Sequence, residues 1–157
     1  MHRHAARRLS PIAIAGLCLS LASGCGGSSP TAPTPVQVME TFNGTLQPLG
    51  VDFKTFVVNY NQGTSDLSVT INRLATVLDS TPITGITLGV GFGAVAGTTC
   101  SMQVQTPVAT LGQELFAPNG ASAGAYCVQV FDCPTGATGC TSNLTEATAY
   151  TITVKHY

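Results

Sequence analysis

The residues of this chain best suited to chemistry are its six cysteines. Cys18 and Cys25 lie near the start, and Cys100, Cys127, Cys133 and Cys140 lie in the C-terminal half. Four thiols in an exported domain read as disulfides, and three pairings are open. Spacing favours Cys133–Cys140, which bracket the Pro/Gly turn CPTGATGC, and Cys100–Cys127, which would join two strands. In the chain-entropy model a loop of that second length is worth about 3 kcal/mol. Metal ligation is the rival use. No C-x-x-C occurs, so neither a zinc site nor a dithiol redox centre is expected, and no metal or cofactor is assigned.

Other reactive groups are sparse. After the first 24 residues the one histidine is His156, and a Ser-His-Asp site would have to use it. Between Lys155 and Tyr157 it reads as an exposed edge residue. Asp52, Asp66, Asp79 and Asp132 are scattered, with no acidic cluster. Asp132 follows Val130-Phe131 and reads as a turn cap. Gly89, Gly91, Gly93 and Gly97 recur in a β context, where they permit bulges or close sheet approach. They do not form a phosphate loop, because no helix follows. Binding by a β-sheet face would use aromatic side chains. There is no Trp. The candidates are Tyr60, Phe92, Phe116, Phe131 and Tyr157, with Phe53 and Phe131 out of step with the apolar rows. Phe53, Phe92 and Phe131 are the ligand-facing aromatics expected, against the alternative that they pack under loops.

Cys25 differs from the other thiols in its surroundings. Arg3, Arg7 and Arg8 precede an uncharged run from Leu9 to Gly24, with Ile12, Ile14, Leu17, Leu19 and Leu21. This is the pattern of a signal peptide. A membrane-spanning helix needs about 20 apolar residues, and Pro11, Gly16 and Ser20 interrupt this run. The sequence Leu21-Ala22-Ser23-Gly24-Cys25 resembles the lipobox of bacterial lipoproteins. The resemblance implies cleavage before Cys25, a diacylglycerol thioether on its sulfur and acylation of the new amino end. Gly26, rather than Asp, follows the cysteine, which resembles the outer-membrane default. Residues 1–24 are therefore expected to be a signal peptide. Residues 25–36 form a lipidated tether, with GGSSPTAPTP giving flexibility and then extended chain. Residues 37–157 are expected to form one domain.

Charge narrows the partners of that domain. Charged residues are only 8% of the chain. From Cys25 onward the bases are Lys54, Arg73 and Lys155, against seven acids. Nucleic-acid binding needs several cations to displace counterions, so it is excluded as an expectation. Attachment to a membrane would come through lipid rather than charge.

The elements that position these residues show a period of two. Phe56 and Val58, then Leu67, Val69 and Ile71, then Ile86, Leu88 and Val90 alternate with other residues. So do Tyr126, Val128 and Val130, and Tyr150, Ile152 and Val154. Turn signals fall between them at Asn61-Gln62-Gly63, Asp79–Pro82, Gly97-Thr98-Thr99, Pro118-Asn119-Gly120 and Pro134-Thr135-Gly136. Asn43-Gly44 is a further turn or bulge signal. Leu74, Val77 and Leu78 have helical spacing over too short a stretch to stand alone. The expected fold is all-β: a two-sheet antiparallel β-sandwich, jelly-roll-like, with seven to nine strands.

Thr41-Phe42 with Gly44 and Leu46, Phe56 with Val58, Gly124 with Tyr126, Val128 and Val130, and Tyr150 with Ile152 and Val154 together resemble the secreted bacterial pre-peptidase C-terminal domains. That resemblance implies a non-catalytic β-sandwich linked to secretion or adhesion. The calcium-binding acidic clusters of some such domains are missing here. The leading expectation is a non-catalytic, lipid-anchored envelope protein, facing the periplasm or cell surface, that binds a glycan or a protein partner. A structural or accessory subunit of an envelope complex is the alternative, and a small hydrolase is third.

Overall fold

The computed structural model describes residues 33–133 and 141–157. Cys25, the leader, most of the tether and Cys140 with its Pro134–Gly136 turn lie outside the described residues. The compact unit spans Thr34–Tyr157.

Eight strands form it: β1 (Val38–Leu46), β2 (Val51–Val58), β3 (Ser68–Thr76), β4 (Leu88–Ala96), β5 (Thr99–Ala109), β6 (Glu114–Phe116), β7 (Gly124–Phe131) and β8 (Thr148–His156). The strand orders are β1-β8-β3-β6 in one sheet and β2-β7-β4-β5 in the other. All pairings are antiparallel. β1 pairs with β8, β2 with β7, β3 with β6 and β4 with β5, so the chain is one long hairpin rolled up on itself. That is the eight-strand, double-sheet jelly roll. The fold class expected from the alternation is therefore the fold observed. No described segment is a helix long and apolar enough to cross a membrane.

The even-numbered residues of β1, β2, β4, β7 and β8 face the other sheet. Phe56, Val58, Leu88, Val90, Phe92, Val128 and Val130 pack on Leu46, Val69, Ile71, Leu74, Tyr150, Ile152 and Val154. Each such side chain contributes about 1.5–3 kcal/mol when fully buried. A bulge between Ile71 and Arg73 resets the alternation in β3, which is how Leu74 joins the core. β3 then ends in a turn, and Leu78 is 91% exposed, so the helical spacing of Leu74–Leu78 forms no helix.

Asn43-Gly44 is not a turn either. Gly44 lies in the middle of β1, directly opposite Tyr150 of β8. A β-carbon at Gly44 would collide with the Tyr150 ring and hydroxyl. The glycine is there to admit the tyrosine. Its hydroxyl crosses the sandwich and donates to Asp52 Oδ2 of β2 at 2.7 Å, and Lys54 Nζ lies 3.0 Å from the same oxygen. Burial, with the Asp52 carboxylate beside it, raises the Tyr150 pKa, so the hydroxyl stays a donor at any ordinary pH.

Candidate functional site

The two outer faces of the sandwich differ. The face of β1-β8-β3-β6 is polar and internally paired. Lys155 Nζ lies 2.8 Å from Glu114 Oε1, which also accepts from Ser68 Oγ, and Asn72 donates to Thr153. The Lys155 and Ser68 hydrogen bonds hold the Glu114 carboxyl below its usual range.

The outer face of β2-β7-β4-β5 is built around glycines. β4 turns Gly89, Gly91 and Gly93 outward, and all three are buried. A β-carbon at Gly89 would enter the Phe131 ring, one at Gly91 would meet Met102 and the Val104 carbonyl, and one at Gly93 would meet the Ser101 backbone. The first half of β5 therefore folds over β4 instead of lying flat beside it. The disulfide reports the same curl. Cys100 of β5 and Cys127 of β7 flank β4 on opposite sides, yet they are bonded with their Cα atoms 5.8 Å apart. Two strand spacings in a flat sheet would be about 9.6 Å. Register shifts at Leu88/Val90 and Phe92/Gly93 supply the bend.

Under this curl lies a cleft of about 470 Å³, within the size range of ligand sites. Val51 and Phe53 of β2 form one wall. Gln129 and Phe131 of β7 form the floor. Met102 and Gln105 of β5, with the Cys100 bridge, form the other wall, and Thr98 of the β4–β5 turn with Thr99 at the start of β5 forms the lip. Phe53, Gln129, Gly91 and Gln105 share one rung across all four strands. Gln129 is 6% exposed, and its side-chain amide makes no hydrogen bond among the described residues, although it faces this space. No described lining residue carries a charge. The cleft can accept hydrogen-bonding groups and an apolar ring face, and it offers nothing to neutralise an ion.

The structure places the expected aromatics unevenly. Phe53 and Phe131 do share the outer face and one cleft. Phe131, however, is 1% exposed, because its ring covers Gly89. Phe53 is half-buried at the wall. Phe92 is not ligand-facing in the way expected of it. It is 3% exposed and packs in the inter-sheet core, edge-on to Phe56 at 6.4 Å. Its even parity with Leu88 and Val90 explains why. Gln129, Gln105, Met102, Thr98 and Thr99 were not singled out from sequence. Their signal was the outward glycine row, which requires another segment to lie over it.

His156 also departs from expectation. It is 1% exposed and faces the core of β8. Nε2 lies 2.7 Å from Glu40 Oε1, Nδ1 faces the Tyr157 carbonyl at 3.4 Å, and the ring packs on Phe56 at 5.5 Å. Both ring nitrogens have partners, so neither is free to activate a serine. Asp132 acts as a tie, as its position suggested. It accepts from Leu49 N and Asn143 N, each at 2.8 Å, and from Ser142 Oγ, joining the β1–β2 turn to the segment before β8.

The Cys100–Cys127 pairing is the one expected. Cys133 is disulfide-bonded, and the expected Cys133–Cys140 pairing lies outside the described residues. Among the described residues no group of three or more His, Cys, Asp or Glu side chains converges on a metal site.

No family model matches the chain, and no curated protein matches it. Among solved structures it resembles the Yersinia pseudotuberculosis-derived mitogen with a TM-score of 0.44 and 11% identity, over 78% of this chain and 88% of that one. It also resembles a protein of the Bacillus endospore appendages, described as disulfide-linked pili. There the TM-score is 0.36 and the identity 15%, over 77% of this chain and 86% of that one.

Proposed function

We propose that this chain is a lipoprotein of the bacterial cell envelope whose jelly-roll domain is a non-catalytic binding or adhesion module. Residues 1–24 direct export, Cys25 carries the acyl chains, and Gly26 leaves the protein to the outer membrane. The Gly/Ser/Pro/Thr tether then holds the domain off the lipid surface. Two or more acyl chains anchor durably where one binds marginally.

The observation that carries the binding reading is the cleft on the outer face of β2-β7-β4-β5. It is open, sized for a ligand, and floored by the Gln129 amide, which bonds to none of the described residues. Its lining offers amides, hydroxyls and aromatic surface without a titratable acid or base, which suits recognition rather than turnover.

The free edge of β1 favours a second reading, as an accessory subunit of an envelope complex. Val38 and Met39 are exposed along this strand, which among the described residues pairs on one side only. An unpaired edge can take a strand from a partner.

The test is in cells. Palmitate should label the full chain and hold it in the membrane fraction, and Cys25→Ala should lose both. A crosslinker at position 53 should capture an envelope component, whereas capture from position 39 alone would favour the accessory-subunit reading. Labelling that survives Cys25→Ala would overturn the anchor.

A further inference from the structure

Resting on the reading of the outer-face cleft as the binding site, we infer that its ligand is an uncharged glycan. Phe53 is the platform on which a sugar ring stacks, and the Gln129 and Gln105 amides read its hydroxyls. Three features of the cleft lead there.

The first is the absence of charge among the described lining residues. A phosphate, uronate or sialate would be stripped of water against Val51, Phe53, Met102 and Phe131 with no cation to receive it. The nearest charges on β2, Asp52 and Lys54, point to the other side of the sheet, and Asp52 is already taken by Lys54 and Tyr150.

The second is the Gln129 amide. No buried side-chain polar atom among the described residues lacks a partner, so the Gln129 amide, which bonds to no described side chain or backbone group, opens onto the cleft, where water or a ligand supplies its hydrogen bonds. A side-chain amide offers an acceptor oxygen and a donor nitrogen side by side. A hydroxyl both donates and accepts, and sugars carry hydroxyls on adjacent carbons, so the two sets match. Gln105, across the glycine rung, presents a second amide to the same space, and the Thr98 and Thr99 hydroxyls line the lip.

The third is Phe53, opposite Gln129 on the neighbouring strand and half-buried at the wall. The negative face of its ring attracts the weakly positive C–H face of a pyranose, while the amides take the hydroxyls at the rim. An extended peptide would instead need backbone donors and acceptors, and the strand edges that could supply them lie at β2 and β5, outside the floor of the cleft.

The experiment uses the full chain, purified from membranes in detergent. It is applied to an array of neutral oligosaccharides (gluco-, manno-, galacto- and N-acetylglucosamine-based) beside sialylated and uronate-containing ones. The inference expects binding to at least one neutral series. Phe53→Ala and Gln129→Leu should each weaken that binding at least tenfold, with the near-ultraviolet circular dichroism unchanged. Shifts of the Gln129 and Gln105 side-chain NH2 resonances on adding the bound sugar give a readout that does not depend on a variant folding. Preference for the acidic series, or neutral-glycan binding indifferent to both variants with those resonances unmoved, overturns the inference. If position 53 crosslinks only to a protein, the sugar class fails while the cleft's binding role stands. If position 53 captures nothing and no oligosaccharide binds, both fail.

Discussion

Replacing Cys100 and Cys127 together by alanine tests how the cleft is held. The bond closes a loop with a sequence separation of 27. By the chain-entropy relation such a loop is worth about 3.5 kcal/mol at 25 °C. For a unit spanning Thr34–Tyr157, an unfolding entropy of about 2.1 cal/mol/K per residue converts this into a fall in Tm of roughly 13 °C. Cys127 is fully buried, so the missing sulfur adds a packing loss of about 1 kcal/mol. Urea unfolding followed by fluorescence or circular dichroism measures the sum. The denaturant dependence should also steepen, because the unlinked unfolded chain exposes more surface. Native-state hydrogen exchange should quicken first at Ser101–Val104, where β5 rides over β4, and leave β8 protected. A loss under about 1 kcal/mol with an unchanged slope would refute the chain-entropy reasoning. Uniform quickening of exchange, with no excess in β5, would refute the claim that this bond holds the curl.

Three further outcomes are expected. Tyr150→Phe removes a hydrogen bond to a carboxylate and should cost about 1.5–3 kcal/mol in urea unfolding, and Gly44→Ala should cost at least as much by driving a β-carbon into the same ring. Asp132→Ala leaves the Leu49 and Asn143 amides without their acceptor and should cost about 3 kcal/mol, read as a fall in Tm. The Asp79 carboxyl, held down to about 2 by the Thr76 hydroxyl and the Thr81 amide, should titrate there by NMR and move up toward 3.8 in Thr76→Val. Glu114 is likewise depressed, so whatever stability its Lys155 and Ser68 contacts give is present above about pH 4.5 and is lost as pH falls through its lower folded value; Lys155→Met should flatten that acid limb.

The frame of the molecule was legible because one-sided burial writes a period of two. Phe56/Val58, Val69/Ile71, Val128/Val130 and Ile152/Val154 named their own core faces. What period two cannot record is a second layer on the outside of a sheet. Phe131 is out of step with Val128 and Val130, which correctly assigns it to the outer face. It is buried there because its ring lies on Gly89 of the neighbouring strand, and the curl of β5 over Gly91 and Gly93 beside it is a tertiary event. The glycines at 89, 91 and 93 were the trace of it: three missing side chains in one outward row mean that something else occupies the space. Gly44 misled for a related reason. As a dipeptide Asn43-Gly44 signals a turn, but its partner across the strand is Tyr150, more than a hundred residues away. His156 was misplaced because a chain-end position outweighed its even parity with Ile152 and Val154. The site was thus half legible: Phe53 and the bridging cysteines came from pattern, whereas Gln129 and Gln105 became site residues only through the rung that joins them.

Carbene footprinting of the full chain, in intact envelopes and again after purification, bears most directly on a lipid-held module that works through one face. The reading expects Val51, Phe53 and the Thr98-Thr99 lip to be shielded in the envelope and labelled once purified, with Thr41 and Thr151 on the opposite face labelled equally in both. Equal labelling of the two faces in both states, or shielding confined to the β1-β8-β3-β6 side, would contradict it.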